Sequence, residues 1–221
     1  MRSSFSAGRI GRRAALLGGA GLAAYIFVPR VLGRRAMAQS LIPTPMQTAG
    51  PFYPVEIPAD ADNNLVDVRG AAAPAEGQVA HILGRVMTVA GEPLPGAMVE
   101  IWQCDAQGIY LHPGSRRQAS RDPGFQGYGR AIADADGHYR FRTIRPAPYT
   151  GRTPHIHVGV RSAAGELVTQ MFVADEPGNA RDFLYRRLDA RQRAAVTVRL
   201  APAVEVEQGA LAGRFDLVLP A

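Results

Sequence analysis

The chain has 221 residues, 47% hydrophobic and 20% charged, so it is long and apolar enough to bury a core and does not have the composition of a disordered protein. A single cysteine excludes a disulfide scaffold, and the lack of a Gly-x-y period or heptad repeat excludes collagen-like and coiled-coil proteins. The net charge of +6 arises in residues 1–38, which hold seven arginines and no acidic residue, whereas the other 18 arginines nearly balance 19 acidic residues and give no reason to bind nucleic acid.

Residues 1–38 predict an export signal. Arg12 and Arg13 precede an apolar, Gly- and Ala-rich stretch that continues to Val28, and a small-residue cleavage site ends at Ala38. The paired arginines and weakly apolar middle are typical of the twin-arginine route. The apolar run of about 15 residues is short for a membrane span, which needs about 20, although an uncleaved anchor is the alternative. The sequence therefore predicts a periplasmic or secreted protein.

The body of the chain divides into an arm and a folded domain. Residues 39–78 are rich in Pro, Ala, Asp and Asn and predict an extended arm. Residues 79–221 contain short runs of strand-forming residues separated by turns, and the first two runs, joined by a turn at 91–96, predict a β-hairpin. The predicted strands begin at Val79 and then cover 97–102, 130–133, 139–144, 155–161, 167–173, 195–200 and 213–219.

One segment, residues 180–195, has convincing helical spacing of its apolar side chains. About eight short strands at regular intervals, with long loops and one short helix, predict an all-β fold. The expected architecture is an antiparallel β-sandwich. The sequence contains no internal repeat.

His155 and His157 are the first candidates for a functional site. Residues two apart in a strand point to the same face, so the two imidazoles can converge on one metal ion. Two ordinary histidines on a half-exposed strand are the alternative. No acidic residue lies between Asp136 and Glu166, so the nearby oxygen donor is Tyr149 rather than the carboxylate of a zinc or ferrous site.

A second candidate phenol, Tyr110, lies just beyond the predicted strand that ends at Trp102. A phenolate suits a trivalent cation such as Fe(III), which is acidic enough to deprotonate a phenol with a pKa of about 10. For Tyr110 and Tyr149 alike, the alternative is a loop aromatic that packs on the core.

Taken together, these motifs resemble the intradiol ring-cleavage dioxygenases, and most closely the secreted single-domain relatives of protocatechuate 3,4-dioxygenase. The matching motifs, in chain order, are Gly-x-Tyr after the strand with Trp-Gln, then Pro-Tyr, then Arg-x-Pro-His-x-His. The resemblance covers roughly residues 45–219 and lies in segments 50–54, 84–110, 134–149 and 152–157. It implies an antiparallel β-sandwich with non-haem Fe(III) held by two tyrosines and two histidines.

The resemblance also implies a role for each matched residue. By position, Tyr110 and His155 are the equatorial ligands, and Tyr149 and His157 the axial ones. Arg152 matches the family's active-site arginine. The alternative is that Arg152 is an ordinary positively charged side chain in a surface loop. Two further matches are Gln170, which would border the substrate ring or else face solvent, and Arg130, expected to give structural support only.

The implied reaction is cleavage of a catechol-type diol between its hydroxylated carbons, with O₂, to a muconate-type diacid. Tyr149 would leave the metal as substrate binds and act as a base, and Arg152 would stabilise an anionic intermediate. The loop between Tyr149 and His155 is shorter than in protocatechuate enzymes, and the arm lacks the helical dimerisation segment of catechol 1,2-dioxygenases. An oligomer is possible, but neither its arrangement nor the preferred diol follows from the resemblance.

Two other classes of protein account for parts of the sequence. The segment 83–102 also occurs in transthyretin-like β-sandwiches, which would make the chain a non-catalytic binding module of the cell envelope. In such a module the four donor side chains would lie more than about 8 Å apart, whereas metal ligands must lie about 2 Å from one ion. A metal-binding or metal-storage protein with the same ligands and no turnover is the other alternative.

Overall fold

The computed structural model describes residues 41–220, so the predicted export signal lies outside the described residues. Within that range no helix is long and apolar enough to cross a membrane. The strands are β1 (Val79–Thr88), β2 (Met98–Trp102), β3 (Tyr128–Ile132), β4 (His138–Ile144), β5 (His155–Ser162), β6 (Gly165–Val173), β7 (Thr197–Val198), β8 (Ala201–Pro202), β9 (Leu211–Arg214) and β10 (Leu217–Leu219), and the α-helix is α1 (Ala190–Val196). Short 3-10 turns cover Gln118–Ser120, Pro177–Ala180 and Tyr185–Arg187.

The strands form two five-stranded sheets, which confirms the predicted all-β sandwich. The first sheet has the order β10-β1-β9-β8, with β4 along the other side of β1, and the second has the order β3-β2-β5-β6-β7. The long pairs β1–β4, β2–β5 and β5–β6 are antiparallel, as expected. Short parallel pairs join β1 to β9 and β10, and β6 to β7, which the sequence did not predict.

The predicted hairpin between β1 and β2 is wrong, because the two strands belong to different sheets. The chain does reverse after β1, since the Thr88 N–H donates to the Glu92 carbonyl and the Leu94 N–H to the Val86 carbonyl. It then crosses to the second sheet, where β2 pairs with β3 and β5. Turn residues specify a local reversal, but they do not specify which sheet receives the next strand.

The predicted helix over 180–195 is also largely wrong, because α1 covers only residues 190–196. The side chain of Asp182 accepts hydrogen bonds from the Leu184 and Tyr185 N–H groups, and this favours turns over a continuous helix. The helix begins where Asp189 and Gln192 form a reciprocal capping box. The apolar spacing of 180–195 therefore reflects a packed series of turns followed by two turns of helix.

The main core lies between the sheets, and the second sheet is buried on both faces. Val99 and Ile101 of β2 point into the main core, whereas Trp102 belongs to a second cluster on the other face. In β5, Ile156 and Val158 likewise face the core. Because side chains alternate along a strand, His155 and His157 must face away from that core.

The described part of the arm, residues 41–78, contains no helix and no extended strand. Backbone hydrogen bonds hold it along both sheets: the Thr44 N–H donates to the Val218 carbonyl, and the Gln47 N–H to the Val168 carbonyl. Phe52 and Tyr53 then pack on the second cluster. The arm therefore covers the face of the second sheet that carries the histidines.

A network of charged side chains lies away from the face that carries the histidines. It predicts how the free energy of unfolding changes at low pH. Arg142 donates to both carboxylate oxygens of Glu207, and His81 Nε2 lies 3.0 Å from Glu207 Oε2. The hydrogen bonds from Arg142 are the main cause that lowers the pKa of Glu207 from 4.5 to about 2. Because the folded-state pKa is lowered, this stabilisation is complete above about pH 4.5 and is lost as the pH falls towards 2.

We expect Glu207→Gln to lower the free energy of unfolding at pH 7 by about 1 kcal/mol, since the network is partly exposed to solvent. The difference from the unsubstituted protein should shrink as the pH falls from 4.5 to 2, as measured by urea unfolding. Glu205→Gln, an exposed site in the same loop, is the matched control and should change little. A difference that is independent of pH would contradict this account.

Candidate metal centre

Four donor side chains meet on the covered face of the second sheet. His155 and His157 leave β5 on the same side, and their Nε2 atoms are 3.3 Å apart. The Tyr110 ring centroid is 5.2 Å from that of Tyr149 and 6.0 Å from that of His157. The Tyr149 ring is 5.4 Å from the His155 ring. The separation of more than about 8 Å that a binding module would require is not observed.

Buried hydrogen bonds position the loop that carries Tyr110. Asp105, which is fully buried just after β2, accepts hydrogen bonds from the Gln107 and Ile109 N–H groups at 2.9 Å. The Tyr110 N–H donates to the Ser115 hydroxyl at 3.0 Å. These contacts turn the chain back on itself directly after the strand, so the phenol points at β5.

A tight turn brings Tyr149 to the same place. The Arg152 N–H donates to the Tyr149 carbonyl at 2.8 Å, and Gly151 has a φ of 78°, which favours glycine. Gly108 packs against this turn with a φ of 80°, and a Cβ there would lie 3.0 Å from the Pro148 carbonyl oxygen. The two tyrosines are therefore held by loops that fit closely together.

The two imidazoles are neutral and oriented for metal binding. His155 Nδ1 lies 2.6 Å from the Thr153 carbonyl oxygen, which requires a proton on Nδ1 and leaves the lone pair on Nε2. Burial, reinforced by the charge of Arg152, lowers the pKa of His155 to about 4. Burial, His155 and Arg152 also lower the pKa of His157 well below its usual value. Both rings can thus offer a lone pair at neutral pH.

The pKa values and hydrogen bonds of the two phenols indicate whether a cation fits this site. Burial raises the pKa of Tyr110 well above 10, and burial also raises that of Tyr149, where Arg152 opposes the effect. The Tyr110 hydroxyl is buried with no hydrogen-bond partner among the described residues, and the same holds for Nδ1 of His157. An unpartnered buried hydroxyl is costly, and a cation would remove that cost by converting the phenol into a ligand.

The donor set is consistent with a trivalent ion. Within residues 41–220, no group of three or more His, Cys, Asp or Glu side chains could hold a metal. The cluster instead combines two imidazoles with two phenols, and hard phenolate donors suit Fe(III). The residues present therefore fit a ferric ion, which Tyr110, Tyr149, His155 and His157 could hold.

Aromatic rings enclose the four donors. The Trp102 ring is stacked on His157 with centroids 5.1 Å apart and planes 8° apart, and Phe52 of the arm is stacked on Tyr110 at 4.9 Å. Gly50 lies so close to His157 that a Cβ would be 3.1 Å from its Cε1 atom. This shell packs against the donor rings and restricts their orientations.

Arg152 and Gln170 lie beside the donors and contact each other. Arg152 Nη2 donates to Gln170 Oε1 at 2.7 Å, and Nη1 lies 3.4 Å from the Tyr149 hydroxyl. Gln170 is fully buried rather than facing solvent, and its Nε2 donates to the Thr48 carbonyl of the arm at 3.0 Å. Arg130 is elsewhere: it is exposed on β3, where its Nε donates to the Ala61 carbonyl.

Asp182 is a member of the site that the sequence did not reveal. It is 1% exposed and accepts a hydrogen bond from Arg152 Nε at 2.7 Å. Burial opposes its ionisation, but the hydrogen bonds from Arg152, Tyr185 and Thr153 hold its pKa below the usual value. It lies 30 residues from Arg152 in the chain, in the turns before α1, and no motif or period connects the two positions.

A cavity of about 900 Å³ opens beside Tyr149. Phe52, Tyr149 and Gly108 form part of its wall, and Arg116 and Arg117 add two positive charges. None of the acidic residues in the described part of the chain lines it. A separate cavity of about 630 Å³, between Leu83 of β1 and the β3–β4 turn, is lined by none of the four donors. Of these two cavities, the first is therefore the one that reaches a donor side chain, Tyr149.

Comparisons with known proteins agree with this arrangement. The family model described as a dioxygenase matches residues 48–221. The beta chain of protocatechuate 3,4-dioxygenase from Burkholderia cepacia is 32% identical over 178 residues, which cover 76% of this chain and 76% of that protein. Catechol 1,2-dioxygenase from Acinetobacter baylyi is 32% identical over 64% of this chain and 50% of its own length, so this chain spans about half of that relative.

Solved structures show the same fold. The dioxygenase domain of a dioxygenase and carbohydrate-binding protein fusion from Streptomyces sp. SirexAA-E is 30% identical, with a TM-score of 0.63 over 81% of this chain and 99% of that one. Catechol 1,2-dioxygenase from Acinetobacter sp. ADP1 is 27% identical, with a TM-score of 0.61 over 80% of this chain and 62% of that one.

Proposed function

Because the chain belongs to the intradiol ring-cleavage dioxygenase family, we propose that it is a non-haem Fe(III) enzyme that cleaves a catechol-type diol with O₂. The ring would open between the two hydroxylated carbons to give a muconate-type diacid. The observation that carries the proposal is the convergence of one buried phenol, one half-buried phenol and two imidazoles on one point.

Bound Fe(III) would supply Lewis acidity towards both diol oxygens and draw electron density from the ring, so that a ring carbon can react with O₂. Tyr110, Tyr149, His155 and His157 are the proposed ligands. The hydrogen bond from His155 Nδ1 to the Thr153 carbonyl keeps Nε2 free for this role. The Trp102 and Phe52 rings pack against His157 and Tyr110.

Substrate would enter through the cavity beside Tyr149. Tyr149 is the less enclosed of the two phenols and lines that cavity, so among the four proposed ligands its phenolic oxygen is the one best placed to accept a proton from the diol. Arg152 Nη1 lies next to the same oxygen and can stabilise negative charge on a diol oxygen bound beside it. Gln170 holds the guanidinium in register for this interaction.

The proposal is tested by iron content and oxygen uptake. The purified protein should carry about one iron per chain, show a red-brown phenolate-to-iron absorption band, and consume O₂ with at least one member of a catechol panel. Iron-free, colourless protein from an iron-replete culture would overturn the metal site. Iron-loaded protein that consumes no O₂ with any diol would instead favour a metal-storage protein.

The charge of the cavity predicts which diols bind best. Arg116 and Arg117 line it, and no acidic side chain of residues 41–220 does, so a catechol with a carboxylate substituent should bind better than a neutral one. We expect Arg116→Gln to raise KM for the carboxylated diol about fivefold and to leave KM for catechol nearly unchanged, since an exposed charge pair contributes about 1 kcal/mol.

Arg191→Gln, at an exposed position of α1, is the matched control for the loss of one positive charge. The effect of Arg116→Gln should weaken in 1 M salt, where the Debye length is about 3 Å. An equal change in KM for charged and neutral diols would contradict the proposed preference.

We also propose that the protein is exported through the twin-arginine route and acts outside the cytoplasm. This rests on the paired arginines at 12–13, the apolar stretch that follows and the small-residue site at 36–38. N-terminal sequencing of the protein from a periplasmic fraction should begin at Gln39.

A further inference from the structure

A buried ion pair behind the metal centre has no role in the donor set. Arg152 Nε donates to Asp182 Oδ2 at 2.7 Å, and the two side chains are 8% and 0% exposed. A buried ion pair is costly to desolvate and is weak evidence for stability, and buried charges of this kind concentrate at functional sites. The pair therefore calls for a functional explanation.

We propose that Asp182 is a positioning residue that fixes the Arg152 guanidinium at the place from which it acts on the substrate. The inference rests on the proposed function, because it assigns Asp182 a part in the same reaction. Asp182 does not line the cavity beside Tyr149 and would act only through Arg152.

Each of the three guanidinium nitrogens has a different partner, and two of them make short hydrogen bonds. Nε donates to Asp182, Nη2 donates to Gln170 Oε1 at 2.7 Å, and Nη1 is left to face the Tyr149 hydroxyl at 3.4 Å. A planar guanidinium held at two points can no longer rotate about its last bonds. The third nitrogen is thereby aimed at the oxygen that substrate would displace.

The Asp182 carboxylate is itself held by three backbone N–H groups, so it can keep Arg152 in place. Its Oδ1 accepts from the Leu184 and Tyr185 N–H groups at 3.0 Å, and its Oδ2 also accepts from the Thr153 N–H at 3.1 Å. The last of these bonds ties the anchor to the segment that leads into β5. The carboxylate is thus fixed relative to His155, two residues beyond Thr153.

Phe183 closes the guanidinium from the solvent side. Its ring centroid is 5.4 Å from Arg152 Cζ, within the range of a cation–π contact, although the ring is itself half exposed. The Arg152 guanidinium therefore contacts the carboxylate of Asp182 and the aromatic ring of Phe183. Without the charge, we expect Arg152 to leave Gln170 and turn towards water.

The experiment compares Asp182→Asn with the unsubstituted iron-loaded enzyme. We expect kcat for the preferred diol to fall about 10- to 100-fold, because a displacement of about 1 Å is enough for a loss of that size, while the iron content stays at about one per chain. KM should change less than kcat. A crystal structure of the variant should show Arg152 displaced from Gln170. The matched control is Asp175→Asn, which removes an exposed partner of Arg199 and should leave turnover unchanged.

A double-mutant cycle decides whether Asp182 acts through Arg152. In an Arg152→Ala background, adding Asp182→Asn should lower kcat by less than about twofold, because the group to be positioned is gone. Independent, multiplying losses would overturn the proposal, and so would a kcat within twofold of normal for Asp182→Asn alone.

If Asp182→Asn does not fold, Asp182→Glu tests the same point with the charge retained and the side chain one methylene longer. It should lower kcat with iron content and thermal stability near normal, and an unchanged kcat would overturn the inference. Failure of the proposed function itself is distinguishable, since the unsubstituted protein would then consume no O₂ with any catechol.

Discussion

Replacing His155 with alanine is expected to remove iron and turnover together. Its Nε2 lies 3.3 Å from that of His157, and its Nδ1 is committed to the Thr153 carbonyl. Loss of even an outer hydrogen-bond partner of a ligand lowers metal affinity about 10- to 100-fold, and loss of the ligand itself should cost more. Iron content should fall from about one per chain to less than about one tenth of that, and the visible absorption band should disappear.

His138→Ala is the matched control for this substitution. His138 lies on β4 with its side chain 52% exposed and 3.6 Å from Asp134, far from the four donors in the fold. Iron content and oxygen uptake should both stay normal. A His155→Ala protein that retains its iron and colour would show that the imidazole is not a ligand, and the ferric site would have to be abandoned.

Arg152→Ala, unlike His155→Ala, is expected to keep its iron and its visible absorption band while kcat falls. Arg152 donates to Gln170 and faces the Tyr149 hydroxyl, but it contributes no ligand atom. Removing one preorganised donor from a site of developing charge lowers kcat about 10²- to 10³-fold. Steady-state oxygen uptake, together with iron content and the visible spectrum, would measure both halves of this prediction.

Two results would contradict the role given to Arg152. Normal turnover in Arg152→Ala would make the guanidinium a bystander. Loss of iron in the same variant would mean that the side chain supports the metal centre rather than the chemistry. Arg145→Ala is a suitable control, because Arg145 also precedes β5 and pairs with a carboxylate, Glu176, yet its side chain is 44% exposed.

The strands could be predicted from the sequence because each depends on a local pattern. Alternation in residues 98–102 puts Val99 and Ile101 in the core, and the same period puts His155 and His157 on one face. Pairing between strands has no such local determinant. The sequence predicts a reversal over 91–96, and the structure has turns at 89–90 and 95–96, but β1 and β2 do not form one hairpin because the chain changes sheets between them.

The site could be predicted only in part for a related reason. Spacing alone linked His155 to His157, whereas Tyr110 lies in another loop and was connected to them by family resemblance. Asp182 was missed because a charge pair between distant loops leaves no period and no motif in the sequence. The apolar residues around it, such as Phe183 and Leu184, have helical spacing. This pattern predicts a helix and gives no indication that the carboxylate is buried.

Because Trp102 is stacked on His157, the intrinsic tryptophan fluorescence of the protein can be used to follow metal binding. Trp102 is the only tryptophan in the chain, and its ring lies parallel to His157 at 5.1 Å. Its fluorescence therefore originates at one known position, in direct contact with a proposed iron ligand. A nearby ferric ion is an efficient quencher, so the emission intensity of the unmodified protein would follow metal loading during titration, without a label or an engineered probe.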